Sequence, residues 1–220
     1  MKNASLLFTL ALALAAVPAR ASWQDLSASD FDVPPPPAHG SADDVADIST
    51  ILNDQNTRTP QQCALAAGMK IPDFTSLYAP SGLLSASEMT AVQPFVDQIS
   101  KLATDISGVF KKRYARPRPY NEDRRIQPCA DKPGGATAYP STHATDGAVD
   151  ACVLSAIFPS RAGKITAYGR YIGELRVIAG VHHPTDVAAG QALAAAICGK
   201  LAQEDDFNAS VAELKSRLGQ

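Results

Sequence analysis

Beyond its first twenty residues this sequence has no apolar run long enough to cross a bilayer. The most apolar later stretch, Val187 to Cys198, is Ala-rich and only 12 residues long, against the ~20 residues that a spanning helix needs. It reads as a packed core helix, and no integral membrane association is expected. Charge of one sign is equally scarce. Twenty Lys and Arg against 22 Asp and Glu leave a formal charge of −2, which offers no general attraction for a polyanion. No nucleic-acid partner is expected, and any anion binding must come from a local cluster. Alternating apolar and polar residues, the mark of a half-buried strand, are nearly absent, and there is no internal repeat. The four cysteines show no C-x2-C spacing of a zinc site, and the acidic residues do not gather as a two-metal site demands. Neither a metal nor another cofactor is expected.

What is present begins with Met1-Lys2, an apolar run from Leu6 to Val17, and Ala19-Arg20-Ala21. A basic start, a short apolar core and an A-x-A site describe a secretory signal peptide over residues 1–21, which places the mature chain in the periplasm or outside the cell. Its removal takes the formal charge from −2 to −4 and leaves enough chain for one domain with a substantial core. An even number of cysteines in an exported protein suggests two disulfides, with three connectivities possible. Cys152 and Cys198 both lie in apolar helical patterns, so a pair between them is plausible, with Cys63–Cys129 as the remainder, and the connectivity stays open at this point.

Residues 22–40 contain Pro34-Pro35-Pro36-Pro37, which favours an extended polyproline arm outside the core. From Ser41 onward the signals are helical. Val45, Ile48 and Leu52 recur at helical spacing, and Ser85 with Glu88 forms a capping-box pattern before an amphipathic stretch reaching about Ala115. Pro94 is expected to kink or restart that stretch. A Gly/Pro-rich loop over about 119–139 follows, then helical patterns at about 142–158, 160–179, 184–203 and 207–218. Gly180 suits the end of the second of these and Pro184 the first turn of the third. The predicted fold is all-α, a single-domain helical bundle over residues 41–220 with an extended Pro-rich N-terminal arm.

Three of the four histidines fall in two short segments, Tyr139-Pro140-Ser141-Thr142-His143 and Val181-His182-His183-Pro184-Thr185-Asp186. Each lies where a loop enters a helix, and a helix N-terminus offers free N–H groups and the positive end of its dipole to an anion. A third segment, Lys111 to Pro119, is basic, and Arg176 stands six residues before His182. Singly these features are ordinary: a surface histidine, a solvated helix end, a cap. Their spacing is not. Lys111 is followed after six residues by Arg118-Pro119, then come Pro140-Ser141-Thr142-His143, and then Arg176, five residues, His182, three residues and Asp186.

This order resembles the three-part signature of the type 2 phosphatidic acid phosphatase superfamily, which includes bacterial class A acid phosphatases and vanadium haloperoxidases. The Pro-rich arm followed by Leu52-Asn53-Asp54-Gln55, and the flanks Gly173-Glu174 and Asp186-Val187, look similar to class A phosphatases too. The chain departs from the family pattern at two places: Thr142 stands where Gly is usual, narrowing the pocket, and Leu175 stands where Ser is usual.

The resemblance implies a metal-independent acid phosphatase acting on a small-molecule phosphate ester. His182 would be the nucleophile, oriented by Asp186 and forming a phosphohistidine, and His143 the proton donor. Lys111, Arg118, Ser141, Thr142 and Arg176 would bind phosphate. His183, outside the signature, reads as a helix N-cap or pocket wall. A homodimer is implied only by the same resemblance. Two alternatives keep the site and change its use: a vanadate-dependent haloperoxidase-like enzyme, or a binding protein holding phosphate or a phospholigand without turnover. A lipid phosphate ester is a further substrate alternative.

Overall fold

Ser85 and Glu88 cap each other reciprocally and open the longest helix, α4, as their spacing predicts. The protein is described by a computed structural model covering residues 22–133 and 137–220; the signal-peptide reading of residues 1–21 lies outside them. The helices are α1 (Ala42–Thr57), α2 (Pro60–Gly68), α3 (Phe74–Tyr78), α4 (Ala86–Tyr114), α5 (Pro119–Glu122), α6 (Thr142–Ile157), α7 (Ala162–Ile178), α8 (Pro184–Leu201) and α9 (Asp205–Leu218). Among the described residues there is no strand, so the all-α expectation is met.

Two local expectations are corrected, the first in part. Helix α4 continues through Pro94, so of the expected kink or restart the restart is excluded. Proline there forfeits a backbone hydrogen bond, but Val92, Val96 and Ile99 on either side are all buried, and their packing holds the helical path. The arm is also not outside the core. Residues 22–40 run along the bundle, with Trp23 and Val33 almost fully buried. The Tyr139 hydroxyl donates to the Pro34 carbonyl and the Tyr114 hydroxyl to the Val33 carbonyl. Polyproline geometry leaves carbonyls unpaired, and these two tyrosines supply donors to them. The short helices α2 and α3 were not legible as periodic segments. They begin at local caps instead, Thr59 with Gln62 before Pro60, and Asp73.

Helix α6 lies at the centre, packed against α4, α7 and α8. A Cβ on Gly190 would sit 2.6 Å from the Ser141 carbonyl oxygen, so glycine there is what lets α8 approach the start of α6. Gly180, at φ +74°, ends α7 in the left-handed turn that brings the chain back toward α8. The disulfides are Cys63–Cys129, joining α2 to the loop after α5, and Cys152–Cys198, joining α6 to α8. Of the three connectivities left open by the sequence, this is the one it made plausible.

Candidate active site

Four segments meet at one end of the bundle. The end of α4 brings Lys111 and, just beyond, Arg116 and Arg118. The start of α6 brings Ser141, Thr142 and His143; the last turn of α7 brings Arg176; the turn into α8 brings His182, His183 and Asp186. Arg118, Ser141, His143, Arg176, His182, His183 and Asp186 are all buried.

Hydrogen bonds assign the His182 tautomer. Its Nε2 lies 2.6 Å from an Arg118 guanidinium nitrogen, and its Nδ1 lies 3.2 Å from Asp186 Oδ2. A guanidinium only donates and a carboxylate only accepts. Nδ1 therefore carries the proton, and the Nε2 lone pair points into the cationic cluster. Burial, then the Arg118 charge, lowers the His182 pKa well below the ordinary histidine value, which favours an unprotonated Nε2. His143 is held differently: its Nε2 lies 2.7 Å from the Met69 carbonyl oxygen and donates to it. Burial, then Arg176, also pushes His143 well down, with Lys111 and Arg118 acting the same way. All three cations of the sequence signature are thus felt at the His143 ring.

The cations are anchored by carbonyl groups. Arg118 donates to the Val181 carbonyl at 2.9 Å and Arg176 to the Ala66 carbonyl at 2.9 Å; Lys111 donates to the Pro140 carbonyl and, at 3.3 Å, to Ala138. Burial, then the neighbouring Arg118, brings Lys111 down to about 7 and Arg176 to about 10. The Nε groups of both Arg118 and Arg176 are buried without a hydrogen-bond partner. Buried unpaired donors on guanidinium forks are costly, and an oxyanion bound bidentately satisfies them.

The Ser141 hydroxyl accepts from the Ala144 N–H as the cap of α6, and the Ser141 N–H donates to the Asp186 carbonyl at 2.9 Å. Thr142 begins the helix with negative φ, since Ala115 alone among described non-glycine residues has positive φ. Its hydroxyl lies 3.4 Å from that of Ser107 on α4, so the side chain faces α4 at the edge of the cluster. Leu175 is fully buried and serves the core.

Behind the nucleophile candidate lies an ionic layer that sequence reasoning missed. Asp186 Oδ1 accepts from Arg116 at 2.9 Å, and Arg116 also meets Asp44 at 2.8 Å and Asp47 at 3.0 Å, both on α1. His183 occupies the N-cap position of α8, as expected, but its ring also joins Asp186 to Glu122. Burial works against ionisation of Asp186, yet bonds from His182 and His183 hold its carboxyl well below the usual range. The one signal available beforehand was that Arg116 belongs to the basic run; nothing marked α1 as the source of its counter-ions. His39, Asp44 and Glu122 also bring potential metal-ligand atoms within 4.8 Å of one another, although Arg116 and His183 already engage the two carboxylates.

One and two turns beyond His143, α6 buries Asp146 and Asp150. Asp146 accepts from Thr104 at 2.7 Å and Asp150 from Ser100 at 2.5 Å, each leaving its second oxygen unpaired. Burial pushes both carboxyls up, Asp150 to about 8. An unfolded chain releases such a proton near about 4, whereas the folded chain keeps it up to about 8. The folded state therefore binds more protons across that interval, and its stability falls as pH rises from about 4 to about 8. Asp150→Asn keeps the shape without the ionisation. Its melting temperature is expected to fall less between about pH 5 and about pH 8 than that of the parent; equal falls would refute this.

The model of the PAP2 superfamily matches residues 86–203, from the first turn of α4 to just past α8. A non-specific acid phosphatase of Providencia stuartii is 29% identical over 206 residues, covering 84% of this chain and 79% of that protein. Among solved structures, a transmembrane PAP2-type phosphatidylglycerolphosphate phosphatase from Bacillus subtilis aligns with TM-score 0.55 at 19% identity, covering 73% of this chain and 84% of that one. A bacterial vanadium-dependent iodoperoxidase aligns with TM-score 0.55 at 16% identity, covering 79% of this chain but 53% of that one. At such identities the two structures speak for the fold.

Proposed function

The chain belongs to the PAP2 superfamily, and from that membership we propose that it is an acid phosphatase hydrolysing phosphate monoesters through a phosphohistidine on His182, without a metal. The observation that carries this reading is the unprotonated Nε2 of His182, which accepts from Arg118 while Nδ1–H is directed to Asp186.

A phosphomonoester presents up to two negative charges, and its hydrolysis depends on fixed positive charge around the equatorial oxygens. Lys111, Arg118 and Arg176 supply that charge, with the unpaired Nε groups of the two arginines as donors, so a metal has no unfilled role. In the first step His182 Nε2 attacks phosphorus, the bond to the ester oxygen breaks, and His143 gives its proton to the departing alkoxide. In the second step His143 takes a proton from water, whose oxygen attacks phosphorus, and the P–N bond breaks to return His182 and inorganic phosphate.

His143 is too weakly basic in the free protein to hold a second proton at neutral pH. A monoanionic ester, whose own second pKa is about 6, brings both the proton and the negative charge that stabilises it on His143. Activity is therefore expected to rise as pH falls toward that value and to fall again when His182 protonates, giving a bell centred in acid. The export reading of residues 1–21 and the two disulfides suit a periplasmic or extracellular setting.

Rapid alkaline denaturing quench during turnover of an aryl phosphate, followed by peptide mass analysis kept out of acid, tests the covalent step. Phosphate on His182 is expected, with chelator present throughout. Turnover with no labelled histidine, or turnover abolished by chelator, would overturn the mechanism. The fold shared with an iodoperoxidase favours one second reading, vanadate on His182 supporting halide oxidation; vanadate-dependent peroxidation of iodide would establish it.

A further inference from the structure

We propose that His183, bridged between Asp186 and Glu122, is a positioning residue that keeps the His182 nucleophile unprotonated in acid, and that Glu122 acts through it. The proposal rests on the reading of His182 as nucleophile.

His183 is fully buried, with Nδ1 3.0 Å from Asp186 Oδ2 and Nε2 2.8 Å from Glu122 Oε2. Ionised carboxylates accept but cannot donate, and a neutral imidazole has only one N–H. Both contacts are satisfied together only when both ring nitrogens carry protons, so this geometry selects the imidazolium. Its pKa moves accordingly: burial opposes the charge, but Asp186 and Glu122 raise it to about 9.

The oxygen that His183 engages is the one His182 uses. Asp186 Oδ2 accepts from the His183 backbone N–H at 2.8 Å, from His183 Nδ1 at 3.0 Å and from His182 Nδ1 at 3.2 Å. The other oxygen of Asp186 belongs to Arg116 at 2.9 Å. One carboxylate thus faces two cations as well as His182. It can orient the His182 ring through Nδ1–H while most of its negative charge is offset by its other partners.

An aspartate paired with His182 alone would raise the basicity of that ring, and in acid the nucleophile would be lost to protonation. The charged and titratable groups facing His183 are Asp186 on its own helix, Glu122 on α5, Arg116 beyond α4, and Asp44 on α1, with His182 in the same turn. Asp47 on α1 holds Arg116 from behind. The influence of Glu122 on His182 passes through the His183 ring.

Two variants test this, His183→Asn and Glu122→Gln. The first removes the cation. The second removes the counter-ion that stabilises it, while the new side-chain amide can still hydrogen-bond to a neutral His183 ring. The His182 imidazole is titrated by NMR in the absence of substrate, and the acid limb of kcat/KM is measured with p-nitrophenyl phosphate. Both variants are expected to move the His182 midpoint and the acid limb upward, by about one pH unit for His183→Asn and less for Glu122→Gln.

A merely structural role would lower kcat or melting temperature and leave the midpoint in place. An unmoved or lowered His182 midpoint in Glu122→Gln overturns the proposal even if His183→Asn fails to fold. Because the NMR titration needs no turnover, it separates this claim from the proposed activity. A raised midpoint in a protein that never forms phosphohistidine would sink the catalytic reading alone.

Discussion

His182→Ala is expected to abolish turnover of p-nitrophenyl phosphate, by roughly 10⁴–10⁶-fold in kcat, on the scale seen when a nucleophile is deleted from a catalytic unit. The loss follows from position as well as chemistry. His182 Nε2 accepts from Arg118, with Lys111 acting on the same ring, and water entering an alanine cavity would have no base at the same place. His143→Ala should behave differently. General acid catalysis contributes about 10²–10⁴-fold, and p-nitrophenolate departs with little help. The defect should be small for that ester and grow for alkyl phosphates, with the phosphohistidine still trapped. Equal losses on both esters would remove His143 from the role of acid. Residual turnover in His182→Ala within roughly tenfold of the parent would remove the covalent mechanism.

Asp186→Asn is expected to have the second largest effect, about 10²–10⁴-fold in kcat, comparable to loss of the orienting carboxylate in a Ser-His-Asp triad. The amide can present its NH₂ to His182 Nδ1, which would move the ring proton to Nε2 and remove the lone pair from the reacting position. Stability should fall too. Asp186 balances Arg116 at 2.9 Å and the His183 ring at 3.0 Å, and breaking a buried ion pair by removing one partner costs about 3–5 kcal/mol. Melting temperature and single-turnover rate separate the two effects: a stabilised or equally stable Asn variant would contradict the ionic layer, and an undiminished chemical step would contradict the tautomer argument.

The outer ionic layer was the part least visible beforehand. Lys111, Arg118, Ser141, His143, Arg176, His182 and Asp186 were legible because restricted residue types recur at fixed offsets, and the structure brings them to one end of the bundle. Asp44, Asp47 and Glu122 occupy unremarkable places on their helices, where an acidic residue ordinarily faces solvent. Only the tertiary packing buries Asp44 and Asp47 beside Arg116 and brings the part-buried Glu122 to His183. The carbonyls of Ala66 and Met69 were equally invisible, because main-chain acceptors carry no sequence signal and α2 is too short to show a period.

Local chemistry also decided more than expected at some points and less at others. Ser41, Thr59, Ser85 and Ser141 each cap the helix they precede, since a side-chain acceptor meets free N–H groups whatever the rest of the fold does. Pro94 does not end α4, because buried neighbours on both sides outweigh one missing hydrogen bond. Trp23 and Val33 were drawn into the core, because apolar side chains gain from burial wherever a groove accepts them.

By itself the sequence determined the helical class, the starts of the longer helices and the order of the family signature. Each depends on near neighbours or on the residue types themselves. The tertiary structure alone decided which ring nitrogen of His182 keeps its proton, which cations lose solvent, and which acids stand behind that ring. Those are properties of distance and burial between segments far apart in the chain, and no spacing along it encodes them.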